Sequence, residues 1–302
     1  MKNALLYIST ILFWGSAWYA AKFQIDLAPV TSSLLYRCII AAFFLVVWCK
    51  IKGMSLKFSL KDHLFLFLLG VTMFSVNYLI IYYSMYYIIS GIAAVIISCT
   101  SFFNILNNFV FFKKKPTLSI ILGALVGVSG LCLFFWPQVT DLGGQENMLY
   151  GLSIAGIGTF IFSLGGSIGQ RNSNNKLPFV PSITIGMVYG AIIMAAYLIM
   201  TSQALVFPKN TMYWVAGFYL SIASSIIGTL SYLQLVKNMG QELAGYATVV
   251  IPVVALVISS FFEGYEWSLL DFTGISLIMF GNVLVMKKKF PIITFLQRKI
   301  NK

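Results

Sequence analysis

The chain has 302 residues, of which 59% are hydrophobic and only 9% are charged. Soluble domains contain about one-quarter charged residues, so this composition excludes a soluble enzyme or binding domain and indicates an all-α integral membrane protein. The net charge of +12 does not indicate nucleic-acid binding, because the basic residues lie in short segments between apolar runs.

Ten apolar runs follow one another along the chain, and each is long enough to cross about 30 Å of hydrocarbon as a helix. They span approximately residues 4–22, 31–49, 64–84, 91–112, 118–136, 149–169, 182–201, 212–235, 243–263 and 268–286. The first run could be a cleaved signal peptide, but its two tryptophans argue against that. The sequence therefore predicts ten transmembrane helices.

Basic residues lie almost entirely in alternate segments between these runs. If the amino terminus is cytoplasmic, the outside segments carry only Lys22 and Lys209. The inside segments carry Lys2, Lys50, Lys52, Lys57, Lys61, Lys113 to Lys115, Arg171, Lys176, Lys237 and the tail at 287–302. Such a bias predicts a multi-pass protein of the inner or plasma membrane with both termini cytoplasmic.

A gapless shift of 151 residues, half the chain length, places Gly274 on Gly123 and Gly281 on Gly130. This pattern indicates an internal duplication. Five helices per half is an odd number, so the second half enters the membrane from the opposite side. We expect a first repeat at 1–138, an inverted second repeat at 146–286 and a basic cytoplasmic tail at 287–302. Inverted repeats around a central cavity are typical of secondary transporters.

Several stretches resemble the EamA-type members of the drug/metabolite transporter superfamily. They are FWGSAWYAAK in helix one, FFKKKPTLSIILGALVGVSGLCLFF at the end of the first half and IPVVALVISSFFEGYEW in helix nine. The resemblance covers nearly the whole chain and implies ten helices in two inverted five-helix repeats. It also implies transport, often export, of small metabolites such as amino acids. Ser101 departs from the pattern where a proline is common, and lysines at 113–115 replace an acidic residue.

Polar and aromatic residues inside the predicted helices are the candidates for lining a substrate cavity. The candidates are Trp14, Trp18, Asn77, Tyr78, Tyr82, Ser101, Asn104, Gln170, Tyr232 and Pro252. Each of them also has a packing interpretation, because hydroxyls and amides tie membrane helices together and indole rings fill cores. Pro252 can produce a static kink as well as a hinge. Both interpretations are open at this point.

Two charged residues are candidates for a role in charge recognition or gating. Arg37 is the only charge well inside an apolar run, and an ionisable residue at such depth is a functional hypothesis by default. It could attract a carboxylate, or it could pair structurally with a carbonyl or an acid. Glu263, at the external end of helix nine, is the carboxylate nearest to the membrane interior. Facilitated diffusion or exchange is therefore at least as well supported as proton coupling.

The leading expectation is a secondary transporter, an exporter, that moves a small metabolite such as an amino acid by alternating access. A membrane-embedded enzyme would need paired aspartates, a His–Glu zinc motif or a Ser–Lys pair, and the sequence has none. A receptor or scaffold is the other alternative. We expect no cofactor, metal or nucleic acid. The expected partners are a small-molecule substrate, the lipid bilayer and a proton or exchange solute, with no feature that specifies an oligomeric state.

Overall fold

The computed structural model describes residues 2–113, 115–116, 118–140, 146–245 and 247–286. Within these ranges the regular secondary structure is helical throughout. The long helices are α1 (Lys2–Ile25), α2 (Val30–Ile51), α3 (Leu60–Ser84), α4 (Ser90–Phe112), α5 (Leu118–Thr140), α6 (Glu146–Asn174), α7 (Phe179–Met200), α8 (Thr211–Met239), α9 (Ala247–Phe262) and α10 (Leu269–Met286). A short helix, Gln241–Ala244, precedes α9.

Seven of the described helices, α1 to α4 and α6 to α8, are long and apolar enough to cross a membrane. The other three carry shorter apolar stretches, at 121–134, 250–262 and 269–281. Fully buried Phe74 and Tyr232 help to fill the space between helices, whereas Phe43 and Phe261 lie on the outer surface. Such exposed apolar side chains suit a lipid environment, and the predicted all-helical membrane protein is confirmed. The predicted basic tail lies outside the described residues.

The structure agrees with most predicted helix boundaries and corrects one. The break between the third and fourth runs lies at 85–89, as predicted. The run predicted at 243–263 is not one helix, because its first residues belong to the short helix Gln241–Ala244, which follows a turn at Gly240 with a φ of +88°. Few residues other than glycine adopt that φ. After the short helix, α9 begins only at Ala247.

Two helices contain an internal π-helical segment, which the apolar pattern did not predict. The segment in α3 covers Gly70–Ser75, and the one in α8 covers Leu220–Gly228. A shift of 151 residues moves the first segment onto 221–226, inside the second. π-Helical turns inside α-helices occur frequently at functional sites.

Helix α4 is interrupted at Ser98 and Cys99 even though it contains no proline. The Ser98 hydroxyl donates to the carbonyl of Val95 at 2.6 Å, and the Thr100 hydroxyl donates to that of Ile97 at 2.5 Å. Hydroxyl groups that bond locally to the backbone compete with the regular helical hydrogen bonds. We infer that these side chains favour the interruption.

Helices α5 and α10 approach each other through glycine. A Cβ added at Gly130 would lie 2.6 Å from the Gly274 carbonyl oxygen, and one added at Gly281 would lie 2.5 Å from that of Gly123. The shift of 151 residues exchanges these two pairs, as in a contact across a two-fold axis. Small residues allow backbones in membranes to pack this closely.

We predict that Gly281→Ala destabilises the protein by about 1–3 kcal/mol, because the added methyl group forces α5 and α10 apart. The matched control is Gly156→Ala in α6, where an added Cβ meets no atom within 4 Å. Thermal unfolding of detergent-purified protein measures the difference. Equal stability of the two variants would show that the glycine contact is not required.

Candidate functional site

A cavity of about 560 Å³, including the part that opens to the exterior, lies between helices of both halves of the chain. Its lining is mainly apolar and aromatic and consists of Trp14, Ala17, Trp18, Ala21, Arg37, Asn77, Tyr78, Ile81, Tyr82, Ile97, Phe162, Ser224 and Ile251.

Six residues predicted from the sequence line this cavity, namely Trp14, Trp18, Arg37, Asn77, Tyr78 and Tyr82. Ala17 and Ala21 complete the α1 wall with the two tryptophans. Positions 14, 17, 18 and 21 share one helix face because they are three or four residues apart. Their spacing of three residues from the tryptophans could have identified both alanines as lining residues from the sequence.

Arg37 is the charged residue of the lining, and it is only 4% exposed. Its Nε donates to Ser225 Oγ at 2.7 Å, its Nη1 to Tyr82 Oη at 2.8 Å and its Nη2 to Ser224 Oγ at 3.1 Å. The guanidinium carbon lies 4.3 Å from the centroid of the Tyr78 ring, a cation–π contact. All four partners are neutral, and neither ion pair found among the described residues includes Arg37.

Ser224 and Ser225 come from the π-helical segment of α8. Neither serine is among the candidate site residues predicted from the sequence. Both hydroxyls contact the guanidinium, so the irregular part of α8 supplies two of the three hydrogen-bond acceptors of Arg37. No local pattern marked these serines as partners of an arginine 187 and 188 positions away.

Aromatic rings form the wall next to α6 and α8. Trp14 donates its Nε1 hydrogen to the Ser224 carbonyl at 3.1 Å, and its ring centroid lies 5.5 Å from that of Phe162. Tyr232 is fully buried and packs on the same two rings, at 5.0 and 5.7 Å, but it does not line the cavity. Tyr232 therefore supports the wall from behind.

Asn77 in α3 also lines the cavity, with only 1% of its surface exposed. Its Oδ1 atom has no hydrogen-bond partner among the described residues. Buried amide oxygens are normally hydrogen-bonded, so Asn77 Oδ1 has an unused acceptor capacity at the cavity wall.

A second polar group, here named the Gln241 clasp, consists of Gln241, Asn104, Ser163, Ser167 and Gln170. Gln241 Nε2 donates to Asn104 Oδ1 at 2.6 Å and to the Ser163 carbonyl at 2.7 Å, and Oε1 accepts from Ser167 Oγ at 2.9 Å. Its backbone N–H donates to Gln170 Oε1 at 2.9 Å. All five residues are buried, and they join α4, α6 and the short helix before α9.

Five of the ten predicted cavity residues, and also Glu263, do not line the cavity. Asn104 and Gln170 belong to the Gln241 clasp, and Ser101 donates to the nearby Gly245 carbonyl at 3.3 Å. Tyr232 lies behind the aromatic wall, and Pro252 is buried in α9 beside the lining residue Ile251. Ser101 and Pro252 do not face each other across the cavity. Gln241 was not predicted as a site residue, although its position as a polar residue directly before the apolar run of α9 could have drawn attention to it.

Glu263 forms a third polar group with Ser90 and Ser259, here named the Glu263 clasp. Its carboxylate accepts from Ser259 Oγ at 2.6 Å, from Ser90 Oγ, and from the Ser90 backbone N–H at 3.5 Å. Ser90 begins α4, where the helix dipole favours a negative charge. Ser90 corresponds to Gln241 under the shift of 151 residues. The two clasps therefore tie α4 to the chain around α9 at two places, at the first residue of α4 and at Asn104, beyond its middle.

The described residues contain no group of three or more His, Cys, Asp or Glu side chains that could hold a metal ion.

Known proteins resemble this chain along nearly its whole length. An "Uncharacterized transporter" of Archaeoglobus fulgidus is 24% identical over 96% of this chain and 100% of its own length. The "Uncharacterized inner membrane transporter YedA" of Escherichia coli K12 is 24% identical over 92% of this chain and 89% of its own. "Protein PagO" of Salmonella typhimurium is 20% identical over 88% of this chain and 86% of its own.

A solved structure titled "Crystal structure of protein" shares the fold, with a TM-score of 0.73 and 16% identity. The match covers 95% of this chain and 98% of that one. The EamA-like transporter family matches residues 1–136 and 149–287. The chain is therefore a multi-pass membrane protein that belongs to the EamA-like transporter family.

Proposed function

We propose that the protein is a secondary transporter that exports a small metabolite, such as an amino acid, across the cytoplasmic membrane by alternating access. One observation carries this proposal. The cavity is walled by helices of both halves, and α4 is tied to the chain around α9 by two polar clasps, one at Ser90 and one at Asn104. Sites between two related halves are typical of secondary transporters.

The proposal includes ten membrane spans arranged as two inverted five-helix repeats. Three features support it, and all of them follow the shift of 151 residues: the exchanged glycine pairs, the two π-helical segments, and positive φ angles at Lys113 and Gly264. The family also matches the chain in two stretches of similar length. With the observed bias of basic residues, the termini are cytoplasmic.

The two clasps act as the gates. Alternating access requires the helices at one end of the cavity to separate while those at the other end stay together. Hydroxyl, amide and carboxylate groups can exchange their protein partners for water at small net cost when a gap fills with water. A clasp of polar groups is therefore a reversible closure, in contrast to the backbone contact at Gly130 and Gly274.

Glu263 is the site for proton coupling within this scheme. Its carboxylate holds Ser90 and Ser259 as an acceptor, and a protonated carboxyl group accepts less well. Exchange of a second solute through the same cavity is the alternative coupling, and it requires no titratable gate.

Counterflow in proteoliposomes tests the transporter function directly. We expect preloaded solute to exchange for at least one member of a panel of amino acids, organic acids, nucleosides and organic cations. Trp14→Ala should lower that exchange at least about tenfold, because the indole forms a cavity wall. Trp48→Ala, at a position that is 51% exposed, is the matched control and should exchange normally. A wild-type protein that exchanges no solute would refute the proposal and favour a receptor or scaffold.

Cysteine labelling tests the two gates. In a variant lacking the four native cysteines, Ala21→Cys places a thiol in the cavity lining. We predict that Glu263→Gln increases its labelling by an impermeant maleimide from one side of the membrane, and that Gln241→Leu increases it from the other. Right-side-out and inside-out vesicles separate the two sides.

The matched controls are Glu266→Gln and Gln234→Leu, since neither residue belongs to a clasp. Gln234 Nε2 donates to Asn238 Oδ1 at an exposed position of α8. Both control substitutions should leave the labelling unchanged. If both clasp substitutions increased labelling from the same side, the assignment of the clasps as opposite gates would be wrong.

A further inference from the structure

We propose that the substrate is a small organic acid whose carboxylate binds Arg37, and whose apolar or aromatic body contacts the rings of the cavity wall. The inference rests on the proposed transport function and specifies its substrate class. It follows from the charge balance of the cavity, the unused donors of Arg37 and the unpartnered oxygen of Asn77.

The cavity lining carries a positive charge, that of Arg37, with no negative charge to balance it. A guanidinium stays protonated in proteins, and burying its charge is costly unless hydrogen bonds and an opposite charge compensate for the lost hydration. Arg37 is 4% exposed, and its three hydrogen-bond acceptors are hydroxyl groups. No lining residue is an aspartate or a glutamate. The missing negative charge is therefore supplied by the ligand.

The guanidinium of Arg37 has more hydrogen-bond donors than its protein partners use. It has five N–H donors in a planar fork, and the structure shows hydrogen bonds from Nε, Nη1 and Nη2 to one hydroxyl each. Two N–H groups are left for a carboxylate, which such a fork binds in a bidentate manner. The Ser224 and Tyr82 hydroxyls can also rotate and donate to the same carboxylate.

The remaining lining defines the rest of the ligand. Trp14, Trp18 and Phe162 present ring surfaces on which a planar or apolar body can pack. Asn77 Oδ1 lacks a partner and accepts a hydrogen bond from an N–H or O–H group on the substrate. An acid with a nearby amino, amide or hydroxyl group satisfies both Arg37 and Asn77.

The same arrangement disfavours organic cations. A cationic ligand of similar shape would face Arg37 without a carboxylate in the lining to offset the repulsion. Neutral ligands leave the guanidinium charge unpaired. Among ligands of equal shape, the affinity is therefore expected to fall in the order acid, neutral amide, amine.

Calorimetric titration of the purified full-length protein tests this order with matched probes. The probes are indole-3-acetate, indole-3-acetamide and tryptamine, together with phenylacetate, phenylacetamide and phenethylamine. We expect at least one acid to bind about tenfold or more tightly than its amide, the size expected for a charge-assisted pair, and the amine to bind most weakly. Arg37→Gln should reduce the acid-to-amide preference to within about twofold, because it removes the charge.

Two further variants keep the test decisive. Arg37→Lys keeps the charge without the planar fork and should retain part of the preference. Arg171→Gln, at the matched arginine that stacks on Phe65 outside the cavity, should retain all of it. The inference is overturned if no acid binds more tightly than its amide to the wild-type protein, or if the preference survives in Arg37→Gln. If Arg37→Gln does not fold, the wild-type comparison and Arg37→Lys decide the matter.

Failure of this inference is distinguishable from failure of the transport proposal. Counterflow of an organic cation or nucleoside, without acid binding, would leave a transporter that does not use Arg37 for charge recognition. Acid binding that depends on Arg37, without exchange of any solute, would leave a binding protein that does not transport.

Discussion

The hydrogen bonds of the Arg37 guanidinium join the two halves of the chain at the cavity. Arg37 lies in α2, and its partners come from α3 in the first half and α8 in the second. A charge buried in a membrane protein needs all the polar contacts within reach, so it restricts where these helices can lie. The aromatic rings around it exclude water and strengthen its attraction for a negatively charged group.

Two kinds of helix contact divide the protein into fixed and movable parts. The contact between α5 and α10 is made by glycine backbones with no space for an added Cβ, so separating them would expose closely packed surfaces. Helix α4 and the chain around α9 are instead held together by hydroxyl, amide and carboxylate groups, at Ser90 and at Asn104. We infer that α5 and α10 stay packed while the clasps open in turn.

The sequence predicted those features that depend on composition and spacing along one helix. Arg37 and Trp14 stood out because a charge and an indole are conspicuous inside apolar runs. Most helix bounds followed from run length, and the glycine pairs followed from a single shift. These patterns lie within one helix or recur at a fixed shift of 151 residues, so a single sequence is enough to recognise them.

Features that depend on contacts between distant residues were not predicted. Gln241 bonds to Asn104, 137 positions away, and its position before an apolar run gave no indication of the partner. The π-helical segments change which side chains face the cavity, as Ser224 shows, and the apolar pattern does not record such changes. Ser101 was expected in the cavity, but the face of α4 that carries it turns towards Gly245 instead.

The most direct test of the account is a structure of the protein with a bound organic acid from the probe set. We predict that the carboxylate oxygens lie about 2.7–2.9 Å from two nitrogens of Arg37, the distance of a charge-assisted hydrogen bond. The body of the acid should lie against Trp14 and Trp18, with its donor group towards Asn77 Oδ1. An acid bound elsewhere, with Arg37 still hydrogen-bonded only to Ser224, Ser225 and Tyr82, would contradict the account.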